Sequence, residues 1–521
     1  MKNLFRDAAS DLPASIVVFL VALPLCLGVA VASDAAPITG IIAGVVGGII
    51  IGFLSGSQLS VSGPAAGLTA IVAGAIGKLP SYEVFLVAVV LAGIFQLILG
   101  YVKAGVIGDF IPNSVIKGML AAIGLILILK QLPHLVGYDV APEGDEAFLQ
   151  KEGGNTFTTI VSAFSRFTPG AVAIGLFAIG ILLLFELKAL KKMRIFQFIP
   201  GPLIVVASGI LLNLWFGFSF PNLHLGSEHL VQLTAFSNPI DFFGSLPSPD
   251  FGQVLNKDVL IVAVTIAVVA SIETLLSIEA VDKIDPLKRI TPANRELKAQ
   301  GVGNIVAGLL GGLPVTSVIV RSSANVSSGG VSKLSAIAHG IWLLLSVLFI
   351  PNLLNLIPLA SLAAILIFTG YKLAKIEIFK YHFKKGWNQF IPFVITVVAI
   401  LLTDLLIGIF IGMIAGIYFI LKSNFQSSIF TIKDENKYLI RFRKEVTFLN
   451  KAYLKATLEN IADNTAVLID ATKSEFIDSD IVDLVNDFII NAETRGIRVY
   501  IKYASGESTN YFNDINDRKI I

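Results

Sequence analysis

Between residues 12 and 422 the chain is a succession of apolar runs, most of them roughly 18 residues long, divided by short polar connections. Runs of this length fit a bilayer and leave little choice of fold. Each backbone N–H and C=O in hydrocarbon needs an internal partner, which restricts spanning segments to helices or a closed barrel. The runs are too long and too continuous for alternating barrel strands, so they predict helices. Expected segments are 12–33, 38–55, 64–78, 83–101, 114–132, 169–187, 198–217, 258–279, 297–312, 315–328, 335–352, 357–371, 388–404 and 406–422. Charge agrees, since Asp, Glu, Lys and Arg make up 15% of the 521 residues, against about 25% in soluble domains. The single cysteine, Cys26, excludes an intrachain disulfide, and the first run reads as a retained span rather than a cleaved leader.

Two of these runs have the wrong composition for a continuous lipid-facing helix. Residues 311–330, GGLPVTSVIVRSSANVSSGG, hold a proline, the hydroxyls of Thr316 and Ser317, Arg321 and a serine/glycine tail. Residues 56–77, GSQLSVSGPAAGLTAIVAGAIG, are polar and broken at Gly63-Pro64 before an apolar helical run. Irregular backbone at membrane depth persists only where protein or a water-filled cavity satisfies it. A helix starting there, near Pro314, would aim free N–H groups and a positive dipole end at an anion. Two interrupted segments in corresponding halves point to the binding site of a secondary transporter.

Lys and Arg placement sets the expected topology. Lys188, Lys191, Lys192 and Arg194 follow the sixth run; Lys283, Lys288, Arg289 and Arg295 the eighth; Lys372, Lys375, Lys380, Lys384 and Lys385 the twelfth. The opposite connections, 133–166 and 218–256, carry Asp139, Glu143, Asp145, Glu146, Glu228, Asp241 and Asp250. Both termini are therefore expected in the cytoplasm of a multi-pass protein of the plasma (inner) membrane. Two domains follow: a transmembrane part, 1–424, and a charged tail, 429–521. In the tail, 437–450 reads as a strand or hairpin, 465–471 as a buried strand, 479–494 as a helix and 497–503 as a strand. That order predicts a small cytoplasmic α/β domain.

The runs LVALPLCLGVAVAS (20–33), SVSGPAAGLTAIV (60–72) and ELKAQGVGNIVAGLLGGLPVTSVIVRSSANVSSGG (296–330) resemble the first, third, and ninth and tenth membrane segments of the sulfate permease (SulP) family of anion transporters. The tail, with VLIDATKSEFIDSDIVDLV (467–485), resembles the STAS domain that follows the membrane part in that family. The resemblance implies an α-helical polytopic fold of two inverted seven-segment repeats, forming core and gate domains. It also implies that the third and tenth segments meet end to end around the anion, and that the protein is a homodimer.

Glu273 lies within the apolar run 258–281, where a carboxylate marks a functional site by default. The resemblance places the coupling carboxylate of several relatives here. Ser277, one turn on, would be a second ligand of a candidate coupling Na+. Bicarbonate-transporting relatives that use sodium carry Asp at this position; Glu273 departs from them, and the longer carboxyl would carry a proton instead. Thr316, Ser317, Val318 and Ile319 match the start of the tenth segment, with Val318 and Ile319 offering only main-chain groups. Arg321 aligns with a basic residue of several relatives, either holding positive potential behind the site or neutralising Glu273. Ser62, Ala65 and Ala66 open the facing half-helix, with Thr69 one turn on, and Leu25 and Val29 are expected apolar walls. Ala65 stands where the sodium-coupled bicarbonate type has a hydroxyl. Ser479 is expected at a helix N-cap of the tail and Asp404 at a membrane-face turn.

His134, His224, His229, His339 and His382 lack metal-ligand spacing, and His224 and His229 are expected at the surface of an external loop. No P-loop, no enzyme-like triad and no basic stripe for nucleic acid is present. These observations predict a secondary transporter of a small inorganic oxyanion, bicarbonate or sulfate, driven by Na+ or H+ symport through alternating access. The rivals are an uncoupled anion channel or exchanger, or a voltage-driven area motor, and a non-transporting sensor that signals through the tail.

Overall fold

The first helix, α1, runs over Ala8–Ala32 with Pro13 and Pro24 inside it. It belongs to a computed structural model that describes residues 6–140, 148, 154–187, 200–233, 242, 244 and 246–502, with backbone alone at 422–427. Pro37 then opens α2 (Pro37–Val46), which continues through a π-helical turn at Gly47–Ile51 to Leu54. A proline at the first helical position is preorganised for the turn and lacks an N–H that would be orphaned there. Strand β1 (Ser62–Pro64) and a 3-10 turn (Ala66–Leu68) precede α3 (Thr69–Lys78). Next come α4 (Tyr82–Tyr101), α5 (Asn113–Leu135), α6 (Pro169–Glu186) and α7 (Gly201–Ser219). The second half repeats the scheme with α8 (Lys257–Ile284), α9 (Ala293–Leu309), strand β2 (Val315–Ser317) and α10 (Ile319–Ser327). It ends with α11 (Lys333–Phe349), α12 (Leu359–Leu373), α13 (Trp387–Leu402) and α14 (Leu405–Ser428). Side-chain caps fix several starts: Ser81 accepts from Val84 N, Asn256 from Asp258 N and Asp404 from Ile407 N.

These segments coincide with the expected runs to within a few residues. The charges at Glu143, Asp145, Glu146, Lys188, Lys191, Lys192, Arg194 and Asp241 lie outside the described residues. The helices sort into two packing sets. In the first, α4 packs on α8 and α9, and α1 on α2 and α11; in the second, α5 packs on α12 and α13, and α6 on α7 and α12. Gly48 meets Gly340 between α2 and α11, Gly93 meets Gly301 between α4 and α9, and Gly124 meets Gly370 between α5 and α12. A Cβ at any of the six would strike the partner backbone. Inverting the halves exchanges the first two crossings and maps the third onto itself, as two inverted seven-segment repeats require. Without a hydrophobic force between helices in lipid, such small-residue contacts carry the packing.

One loop cluster was missed in the sequence. Asp139, just past α5, receives His134 Nδ1 at 2.6 Å on one oxygen and His229 Nδ1 at 2.6 Å on the other. His229 is thus half-buried rather than a surface residue, while His224 is exposed as expected. Burial pushes the Asp139 carboxyl up, but the two imidazole hydrogen bonds outweigh it and leave it below its ordinary value. The same bond raises His229 despite its burial. The stabilisation is therefore full below about 6.5 and is lost as pH rises through the raised His229 value; at the acid end it is lost as Asp139 protonates. Melting of the purified protein should accordingly fall on the alkaline side by the equivalent of roughly 1–3 kcal/mol. Asp139→Asn should flatten that slope, and an unchanged slope in the variant would discount the clasp.

The chain forms two units, Met1–Met413 and Ile414–Ile521. In the second, β3 (Ile429–Asp434) and β4 (Lys437–Val446) make an antiparallel hairpin. From there β5 (Ala466–Ile477) and β6 (Arg498–Lys502) add in parallel, giving the order β3-β4-β5-β6. The parallel steps need crossovers, supplied by α15 (Lys451–Glu459), which the sequence reading missed, and α16 (Ser479–Thr494). Ile440, Phe442, Val467, Ile469, Ile481 and Val485 form its core. The cap of α16 is Asp478, which accepts from Asp480 N at 3.0 Å, so Ser479 is the first helical residue and not the N-cap. A carboxylate is the stronger acceptor for free helix N–H groups.

Candidate functional site

The two interrupted segments meet in a miniature antiparallel sheet. Ser62 faces Ser317, Gly63 faces Thr316 and Pro64 faces Val315. Proline disfavours the helical region for the residue before it, so Gly63 and Leu313 are held extended. The strand pairing carries the chain past each proline, and the helices begin later than the sequence suggests. Ser62 lies in a strand rather than opening the half-helix, and so do Thr316 and Ser317; α10 starts at Ile319, not near Pro314. Val318 is its extended N-cap and donates its N–H to Val61 O at 3.0 Å. On the other side, Ala65 is the extended cap of the 3-10 turn that begins at Ala66, and Thr69 Oγ1 returns to Ala66 O at 2.8 Å.

The side chains here are almost wholly enclosed. Ser317 Oγ lies 2.5 Å from Ser60 Oγ, a partner the sequence reading did not single out. Ser317 N donates to Thr274 Oγ1 at 3.3 Å. Thr316 Oγ1 is buried without a hydrogen-bond partner among the described residues. Arg321 is 1% exposed, and its Nε and Nη1 likewise have no partner among the described residues. Its guanidinium lies against Gly63, where a Cβ would collide with it, and a Cβ at Gly44 would stand 3.8 Å from Nη1. A guanidinium is always charged, and an uncompensated one in a low-dielectric interior costs several kcal/mol unless an anion joins it.

Helix α8 touches both interrupted segments. Thr274 holds β2, as described, and the Glu273 carboxylate sits against the turn before α3. A Cβ on Gly67 would lie 3.2 Å from each of its oxygens. Thr274 and Gly67 are further residues that the sequence reading missed. Each was adjacent to a residue or motif already singled out, but nothing in its local sequence set it apart. Glu273 is 4% exposed, and Ser277 is buried one turn further along the same helix. Leu25 and Val29 are buried, and Leu25 belongs to the same apolar cluster as Ile319.

A cavity of about 610 Å³ runs alongside rather than into this seam. It separates α1 and α10 from α6, α7 and α12, with Ser10, Ser327, Ser328, Glu186 and Lys372 on its wall. Ser62, Thr316 and Ser317 do not line it. Its two charged wall residues pair at 3.0 Å.

Interrupted segments paired at their breaks, inside two sets of apolar helices, define a multi-pass membrane transport protein rather than an enzyme. The chain belongs to the sulfate permease family, whose model matches residues 9–421, and residues 429–520 match the STAS domain. It is similar to the bicarbonate transporter BicA of Picosynechococcus, 26% identical over 438 residues that cover 81% of this chain and 72% of that one. The sodium-independent sulfate anion transporter of Bos taurus is 25% identical over 436 residues, covering 79% and 69%. A solved structure of SLC26A9 has the same fold, with a TM-score of 0.65 at 15% identity over 96% of this chain and 85% of that one.

Proposed function

We propose that this anion transporter carries bicarbonate or sulfate by symport with Na+ or H+, by alternating access of the α1–α4 and α8–α11 set past the other. The observation that carries the reading is Arg321, a buried guanidinium with open donors beside the strand seam. The starts of α3 and α10 face that seam, and their free N–H groups favour an anion between them. Ser62, Ala65, Ala66, Thr316, Ser317, Val318 and Ile319 would surround the ion, with Leu25 as an apolar wall. Glu273, with Ser277, would hold the coupling cation, Na+ or a proton, so that little net charge moves. The cavity along α1 and α10 would be the inner vestibule. The transport domain, 1–424, and a cytoplasmic STAS domain, 429–521, would work in a homodimer in the plasma (inner) membrane, with both termini cytoplasmic.

The name of the bovine relative, sodium-independent, favours a second reading, uncoupled exchange. Uptake of radiolabelled sulfate and bicarbonate into proteoliposomes separates the two. Accumulation above equilibrium under a sodium or a proton gradient is the expected result. Flux that merely equilibrates, whichever gradient is applied, would leave exchange or a channel in place of the symporter.

A further inference from the structure

Helix α9, which packs on α4 through Gly301, also carries Glu296, Gln300 and Asn304 at four-residue spacing. That spacing puts the three on one helix face, and all are 0% exposed. Each holds a different part of the interrupted segments, through main chain or side chain. Glu296 Oε2 accepts from Ser55 Oγ at 2.5 Å and from Gly56 N at 3.1 Å, in the connection that leads to β1. Its Oε1 accepts from Gln300 Nε2 at 3.0 Å, and that same nitrogen donates to Ser62 Oγ in β1 at 2.8 Å. The connection is gripped from its other sides by Arg295 Nε on Leu54 O at 3.1 Å and by Lys333 Nζ on Ser55 O.

Asn304 serves the opposite strand. Its Oδ1 accepts from Val315 N at 2.6 Å, and its Nδ2 donates to Val315 O at 2.9 Å. A two-stranded sheet leaves each strand one unpaired edge, costly where water is absent. The carboxamide of Asn304 supplies both groups that a third strand would. Its own orientation is fixed in turn, because Nδ2 also donates to Gln96 Oε1 at 2.7 Å.

We propose that Glu296, Gln300 and Asn304 are positioning residues, a polar ladder on α9 that sets the spacing of the two half-helix starts and thereby the affinity for the anion. The proposal rests on the reading that the anion lies between those starts. None of the three need touch the ion. In a site of this kind a displacement of about 1 Å costs up to roughly 100-fold. Loss of a rung therefore weakens recognition more than it weakens the bundle.

The test uses the full-length protein in proteoliposomes, with concentration series of radiolabelled sulfate and bicarbonate. Gln300→Leu and Asn304→Ala each remove one rung. Leu297→Ala is the structural control, since Leu297 packs with the apolar Leu275 and Ile278 and is apolar itself. Gln96→Leu keeps all three rung side chains but removes the bond that orients the Asn304 carboxamide, and covers the case in which Asn304→Ala does not fold. KM should rise roughly tenfold or more in the rung variants, less in Gln96→Leu, with maximal rate within about threefold of wild type. Leu297→Ala should lower melting by a similar amount and leave KM within about twofold. Rung variants with a wild-type KM, or a control whose KM rises as far as theirs, would overturn the ladder alone. A wild-type protein that moves neither anion would remove the transport reading, and the ladder with it.

Discussion

Replacing Glu273 by glutamine is expected to lower gradient-driven anion accumulation at least about tenfold, the scale of roughly 1.4 kcal/mol of coupling. The residue sits about 24 Å along α8, at 1.5 Å per residue from Lys257, well inside an apolar span. Its carboxylate abuts Gly67, where the chain turns into α3, and its neighbour Thr274 accepts from Ser317 N in β2. A cation held there would be felt at both interrupted segments at once. Glutamine keeps the size and most of the hydrogen bonding but neither ionises nor carries a proton. Exchange of anion without a gradient should partly survive, because the N–H groups at the starts of α3 and α10 and the Arg321 guanidinium are left in place. The comparison is between accumulation and counterflow in the same vesicles. Should the Gln variant accumulate anion like the wild type, Glu273 is structural and the symporter gives way to facilitated exchange.

Ser317→Leu should abolish accumulation and exchange alike, by at least about 100-fold. Ser317 is 0% exposed and lies opposite Ser62 across the seam. Leucine has no room there, and overpacking of a closed site costs about 1–3 kcal/mol. It also removes the partner of the Ser60 hydroxyl, and a buried unsatisfied hydroxyl costs about 1–3 kcal/mol more. Because the seam is the floor of the proposed site, the damage falls on anion seating rather than on coupling alone. Ser317→Ala, which loses the hydroxyl and adds no bulk, should keep both modes at reduced rate. Counterflow at wild-type speed in the folded Leu variant would place the anion path elsewhere.

The segments of the membrane unit were legible because apolar length is a strong, local signal, and the two breaks because Pro64 and Pro314 stand among hydroxyls. Three-residue strands have no period to read, so β1 and β2 were missed and the helix starts were placed too early. The rungs Glu296, Gln300 and Asn304 were in plain view at four-residue spacing. Their meaning depends on Ser62, more than 230 residues away, and on Val315. Asp139 illustrates the same limit: His134 is five positions off, but its second histidine is 90 away. Proximity between remote residues is made by packing, and no local pattern encodes it.

The short seam between β1 and β2 constrains motion as well as geometry. Parting Ser62–Pro64 from Val315–Ser317 would strand backbone amides away from water, each at several kcal/mol. The Val318 N–H on Val61 O adds a further bond across the seam that would have to break with them. In the proposed transport cycle the two half-helices would therefore travel as one solid piece, and a gap between their tips would keep its width. Such a gap would act as a caliper and not as a clamp, sorting ions by diameter and by how readily they shed water.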